Sequence, residues 1–356
     1  MKIRLTTQSD KQIWDEYVLN HPNGIAYHLY AWGEAVEKAY GFKSHYFMAL
    51  RDNKTVGVLP LTIFKLPFGK RRYVSLPYCD AGGPLAETPG IEKELLNQAL
   101  AIAGKNNFNK LVIRNTRPFA GIEKELTINT KKVRMLLDLP DSSEALMKSF
   151  KSKLRSQVKK PIRDHLTIES GGPGLLNDFY PVFAENMRDL GSPVHSKLWI
   201  ESILTEFHAR SRLFLVRMPE GTPAAGGIIL CHSRTVSVPW ASSLRRFNRF
   251  NPNMMLYWGF LEYASDNGYK QFDFGRSTPN EGTFRFKKQW GALPHPLHWA
   301  DFNCSNPQKT DLIPTGHSGE TTGNGHIRKA AEEIITRTPV GFSKILGQLT
   351  RKYISL

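Results

Sequence analysis

"NPNMMLYWGFLEYASDNGYKQFDFGRS", residues 251–277, passes from the start of a helix to the end of a strand. Pro252 and Asn253 stand where the helix begins, because proline at the first helical position gives up an N–H that has no intrahelical partner there. Gly268 falls near its end, where glycine takes the left-handed cap conformation. Phe272 and Phe274 then alternate with Asp273, the two-residue period of a strand, with the rings on one side and the carboxylate on the other. Gly275 allows a sharp turn and leaves Arg276 at the carboxyl end of that strand, where open α/β sheets place ligands.

Working outward, RLFLVRM (212–218), AAGGIILCHS (224–233) and TVSVPWASS (235–243) read as three strands ahead of this helix. The same order occurs earlier in the chain. HYFMALRD (45–52) and TVGVLPLTIF (55–64) read as a hairpin turned at Asp52-Asn53; RYVSLPY (72–78) follows, then the helical IEKELLNQALAIAGKNN (91–107), then KLVIRNT (110–116). Strand, strand, strand, helix, strand, recurring at a long period, points to duplication of one unit. The expected class is α/β (α+β), with two tandem domains, each a mixed, mainly antiparallel sheet flanked by helices. The expected boundaries are 1–140 and 141–302, then a polar linker at 303–325 and a basic amphipathic tail at 326–356.

This order of elements, with AAGGIIL, residues 251–277 and FKKQWGA (286–292) at their spacing, resembles the FemAB family of the GNAT superfamily. That family comprises peptidoglycan-bridge aminoacyltransferases and relatives with a BioF2-like acetyltransferase domain. YCDAGGPL (78–85) and TPVGFSKILGQL (338–349) are similar to the branch associated with PEP-CTERM exosortase systems. The resemblance implies two GNAT-like domains and transfer of an acyl or aminoacyl group to an amine, with acyl-CoA or aminoacyl-tRNA as co-substrate and no tightly bound cofactor. It also implies that Lys287, in the FK..WG pattern, stands near the reacting centre, where an ammonium neutralises a phosphate or the oxyanion of a tetrahedral intermediate.

Asp273 is the nearest carboxylate for proton removal, and Arg276 offers a planar guanidinium suited to bidentate contact with an anion. Asn253 at the helix start, Trp290 beside Lys287, and Tyr78 and Asp80 near the Gly82-Gly83 turn complete the expected substrate-binding set. The R/Q-x-x-G-x-G/A loop by which acyl-CoA enzymes cradle pyrophosphate is missing before Pro252, where Arg245, Arg246 and Arg249 stand instead.

Lys plus Arg number 48 against 32 Asp plus Glu, a formal net charge of +16. That excess suits an anionic partner, RNA, a phospholipid surface or a phosphate-bearing small molecule, and the family resemblance implies among these a lipid-linked or nucleotide-sugar envelope precursor or a tRNA. The segment 142–160 reads as one basic helix ending at Pro161, with Leu146, Phe150, Leu154 and Val158 forming an apolar stripe. Phe342, Ile345, Leu346 and Leu349 alternate with Lys344, Arg351 and Lys352 in the tail, a pattern equally suited to docking on the body or to lying on a membrane.

No apolar run reaches the length of a membrane span and no secretory leader is evident, so cytoplasmic residence, at the inner face of the membrane, is expected. Cys79, Cys231 and Cys304 are widely spaced, and His295-x-x-His298 lacks further ligands, so neither disulfides nor a metal site is expected. Two functional readings follow. One is an acyltransferase acting on an amine of a cell-envelope or exopolysaccharide precursor; the other is a non-catalytic membrane-surface scaffold of an assembly system.

Overall fold

The computed structural model describes residues 1–119, 132–304 and 332–355. The chain divides into two units. The first takes Met1–Val133, the region from His295 and the last residues from Tyr353; the second takes Arg134–Pro294 and the tail up to Lys352.

In the first unit, β1 (Lys2–Leu5) is followed by α1 (Lys11–Asn20) and α2 (Tyr30–Tyr40), then β2 (Ser44–Arg51), β3 (Lys54–Lys65) and β4 (Arg71–Ser75). These four strands form an antiparallel meander. The β2–β3 turn is Asp52-Asn53, both at positive φ (50° and 60°), a conformation that asparagine and aspartate tolerate and that matches the twist of a hairpin. After the short β5 (Leu85–Ala86), α3 (Pro89–Lys105) crosses to β6 (Lys110–Asn115), which lies parallel to β4. Thr88 caps α3 by accepting the Ile91 N–H. Ile91, Leu95, Ala99 and Ala103 recur along one helix face and pack on Phe47, Leu61, Leu111 and Ile113 of the sheet. Tyr46, one residue from Phe47, points to the other face, where its ring stacks on Trp14 of α1 at 4.6 Å.

The second unit opens with β7 (Val133–Asp138), α4 (Ser143–Ser149), α5 (Ser152–Arg163), β8 (Thr167–Gly171), α6 (Leu176–Asp189) and α7 (Lys197–Phe207). β9 (Ser211–Arg217), β10 (Pro223–Cys231) and β11 (Thr235–Ser243) form its meander; α8 (Pro252–Asp266) crosses to β12 (Gln271–Ser277), parallel to β11. α9 (Gly282–Gln289) and β13 (Leu293–Pro296) follow, and the sheet order is β13-β7-β12-β11-β10-β9-β8. Gly226 and Gly227 show why β10 carries a glycine pair. A Cβ on Gly226 would meet the Phe179 ring of α6 at 2.8 Å, and one on Gly227 the Phe260 ring of α8 at 2.7 Å. Successive residues face opposite sides of a sheet, so helices press on both faces of β10 and neither face has room for a side chain.

Two expectations are corrected. The expected boundary at 302 does not hold for β14 (His298–Asn303), which pairs antiparallel with β6 from His298↔Asn115 to Asn303↔Lys110 and so closes the first sheet. The basic helix expected over 142–160 is two helices. Phe150 takes extended backbone (ψ 146°) between α4 and α5, and its ring lies 5.6 Å from Trp290 and 6.1 Å from Trp258. Packing the aromatic ring decides the break, while Leu146, Leu154 and Val158 stay buried as the apolar stripe requires. Pro161 falls inside the last turn of α5, which runs on to Arg163. Most of the expected linker, 305–325, lies outside the described residues. Among the described residues, no helix is long and apolar enough to cross a membrane.

Candidate active site

β11 and β12 pair over only three positions, Thr235↔Gln271, Val236↔Phe272 and Ser237↔Asp273. β11 continues to Ser243 and keeps its pairing with β10 as far as Ala225↔Ser243. The two parallel strands therefore part after Ser237 and Asp273, leaving the β12 side of β11 without a strand partner. Local chemistry on β12 enforces the parting. Gly275 takes φ 72°, open to glycine at no steric cost, and its N–H donates to Asp273 Oδ1 at 2.8 Å.

A cleft of about 360 Å³ lies within this unit. Ala241 and Ser243 of β11, Asn253 and Tyr257 of α8, and Phe286 and Lys287 of α9 line it. Asn253 and Tyr257 are four apart on one helix and so share a face. Burial pushes the Tyr257 phenol well above its ordinary range, so it stays protonated and can donate. Lys287 is 7% exposed, and its Nζ donates to the carbonyl oxygens of Gly275 (3.2 Å) and Arg276 (2.7 Å). The ammonium thus binds the turn that ends β12 to α9 while lining the cleft. Neutral amide and hydroxyl groups around one cation suit an uncharged ester or amide carbonyl that gains negative charge during attack.

Of the expected site residues, Lys287 and Asn253 line this cleft; the others are not among its lining. Asp273 forms a buried ion pair, Oδ2 to Arg134 Nε at 2.7 Å, because β7 on the far side of β12 carries Arg134. Its other oxygen accepts from the Gly275 N–H, so both carboxylate oxygens are engaged within the fold. Arg276 is half-buried, and its carbonyl is what Lys287 holds. Trp290 is 1% exposed within a cluster of Phe150, Tyr257 and Phe286, so it is core and not substrate contact.

Tyr78 and Asp80 belong to the first unit. Tyr78 is buried, packs on Tyr40 at 5.0 Å and donates its N–H to the Ser355 carbonyl at 2.7 Å; the Asp80 carbonyl accepts from Trp299 Nε1 at 3.0 Å. Both are tied into the fold. Tyr257 was legible from the spacing of Asn253 in α8, and Ser243 from its alternation with Ala241; Asn186, which reaches the cleft from α6, carries no local signal.

A recess of about 500 Å³ beside α4 and α5 shares no lining residue with the cleft. Its walls mix Lys148, Arg155 and Lys159 with Glu144 and Glu262, and Lys148 pairs with Glu144 at 2.6 Å, which dilutes the basic face expected there. The three cysteines are buried and free, and burial pushes the Cys79 thiol up to about 12, so none is poised as a nucleophile.

Residues 148–288, which include this cleft, fit the family model described as an acetyltransferase (GNAT) domain. Over that stretch the chain is similar to a GNAT domain. Solved structures extend the likeness over both units. The crystal structure of FemX superposes with a TM-score of 0.70 at 18% identity, covering 86% of this chain and 98% of that one. The C-terminal domain (DUF2156) of a putative lysylphosphatidylglycerol synthetase from Agrobacterium fabrum gives 0.58 at 12% identity, with coverage of 88% and 99%. A tandem GNAT protein from the clavulanic acid biosynthesis pathway gives 0.51 at 11% identity, with coverage of 86% and 99%. At these identities the likeness is one of fold. No curated protein matches the chain.

Main-chain donors are sparse at the start of α8. Pro252 has no N–H, and the N–H groups of Met254 and Met255 both turn to the Asn251 carbonyl, at 3.0 and 3.4 Å. Arg246 pairs with Glu185, and Arg245 donates to the Asp189 carbonyl at 2.7 Å. Such exposed pairs contribute at most about 1 kcal/mol and rearrange readily, so the main-chain geometry weighs more.

Proposed function

We propose that this protein is an N-acyltransferase that moves an aminoacyl or acyl group from an activated ester or thioester to an amine of an anionic cell-envelope or exopolysaccharide precursor, lipid-linked or nucleotide-bound. The observation that carries the reading is the opening between β11 and β12, with Lys287 and un-ionised donors at its wall. The amine lone pair attacks the carbonyl carbon, the tetrahedral intermediate places its negative charge toward Lys287 and Tyr257, and collapse releases the donor oxygen or sulfur. That leaving group takes the proton lost by the amine, so the step balances without a dedicated base. Positioning and charge stabilisation then supply most of the acceleration. The sparse main-chain donors at the start of α8 favour an aminoacyl-tRNA donor over acyl-CoA, and the surplus of basic residues supports a polyanionic donor. Residence in the cytoplasm at the inner membrane face belongs to the same reading.

The carboxylate expected to serve as base is locked in an ion pair, which favours a second reading, the non-catalytic scaffold. Incubating the protein with acetyl-CoA, charged tRNAs and amine-bearing lipid-linked or nucleotide sugars, and reading product mass, separates the two. Turnover with one donor that is lost in Lys287→Ala supports transfer. Absence of turnover with every donor overturns it in favour of the scaffold.

A further inference from the structure

The tail carries a face that the transfer reading does not use. In the C-terminal helix Val340–Thr350, Phe342, Ile345 and Leu349 are 63%, 60% and 63% exposed. At 100° per residue these positions fall within about 60° of one another, a single outward stripe. The opposite side is fixed to the second unit. Ser343 and Gly347 are buried; a Cβ on Gly347 would lie 2.6 Å from the Val194 nitrogen, and Gln348 Nε2 donates to Tyr180 Oη at 3.3 Å. The helix is thus neither a free tail nor a core helix: one side is clamped by a close glycine contact and the other presents large apolar side chains.

We propose that this stripe lies on an anionic membrane surface. Charge selects that occupant over a second copy of the chain. From Ile334 to Leu356 the sequence has no acidic residue; Lys344 turns to the Tyr180 ring at 5.9 Å and Arg351 toward His195, while Arg337 and Lys352 add positive charge, and the whole chain carries a net charge of +16, which opposes self-association. Exposed apolar side chains on a surface helix of a strongly basic chain are a combination that seats a helix in the headgroup region. The inference deepens the transfer reading, and rests on it, in one respect. α6 meets the tail helix at Tyr180 and reaches the cleft at Asn186. Six residues of helix are about 9 Å, so a helix seated on lipid holds the cleft near the surface and suits an acceptor amine carried on a lipid.

The test is sedimentation of the full chain with vesicles of phosphatidylcholine alone or containing about a third phosphatidylglycerol, with no acyl donor present. Expected is binding to the anionic vesicles, weakened at least tenfold in neutral vesicles and in Phe342→Ser/Leu349→Ser, whose substituted positions are exposed so that circular dichroism and Tm stay unchanged. Three results overturn the proposal: no vesicle binding, equal binding by the double variant, or a change of oligomeric state in the variant without a change in vesicle binding. Prior addition of tRNA that binds through the same stripe, so that the double variant loses tRNA and not lipid, also overturns it. Vesicle binding without any turnover leaves the membrane surface standing and sinks the transfer reading alone.

Discussion

The Lys287 ammonium lies 2.7 Å from the carbonyl oxygen of Arg276, eleven residues earlier in the chain. One cation therefore both closes the turn at the end of β12 and faces the cleft. Replacement by alanine is expected to lower kcat by on the order of 100-fold, the loss typical of removing one oxyanion donor, with KM little changed. It is also expected to cost about 1–2 kcal/mol of stability, because two carbonyls lose their donor. Steady-state kinetics together with urea unfolding check both; an unchanged kcat removes Lys287 from the chemistry.

The Asp273–Arg134 pair is read as structural. Asp273→Asn leaves a buried guanidinium uncompensated and is expected to destabilise the protein by about 3 kcal/mol. Replacing both partners, Asp273→Leu with Arg134→Met, is expected to recover most of that loss. Denaturant midpoints decide it: an Asp273→Asn protein of full stability and no activity would make the carboxylate a base after all.

Glycine at 227 is expected to be far less replaceable than glycine at 282. Gly227→Ala drives a methyl into the Trp240 carbonyl and the Phe260 ring, both at 2.7 Å, whereas nothing lies within 4 Å of a Cβ on Gly282. Overpacking of this kind costs about 1–3 kcal/mol. Thermal melts of the two variants side by side provide the measurement.

His195 gives a pH dependence. It is 1% exposed among Trp199 and Trp240, and burial, with a smaller contribution from Arg351, holds its imidazole well below the ordinary value. The unfolded chain takes up a proton near pH 6.5 that the folded chain refuses. Folded-state stability is therefore complete above that pH and falls as pH drops below it, by up to about 1.4 kcal/mol per pH unit. Urea midpoints at pH 7 and pH 5 should differ more for the parent than for His195→Gln; equal differences refute the assignment.

The sequence disclosed the repeated meander and both crossover helices because those signals are local. Alternation marks β2, β3, β9 and β11, and Gly268 sits at φ 78° just past α8, as a helix end requires. Asn253 and Lys287, which line the cleft, were named from helix-start chemistry and from the family pattern respectively. The misreadings share a different cause. Trp290 looks like a site residue beside Lys287, yet its surroundings come from Phe150, Tyr257 and Phe286, three separate stretches of chain. Asp273 looks like a free carboxylate until β7, 139 residues upstream, brings Arg134 to it. The break at Phe150 likewise depends on Trp258 and Trp290. Partners distant in sequence decide these positions, and a window of neighbours does not contain them.

β14 leaves the ribosome only after both sheets' other strands have been made, yet β6 waits for it. Until then the first sheet ends on an open edge at β6, its outer amides and carbonyls facing water from residue 110 to residue 115. Synthesis thus proceeds with an unfinished template exposed for the time needed to translate some 180 further residues. The unit begun first is thus the one finished late, and a chain stopped before His298 lacks the strand that closes its sheet.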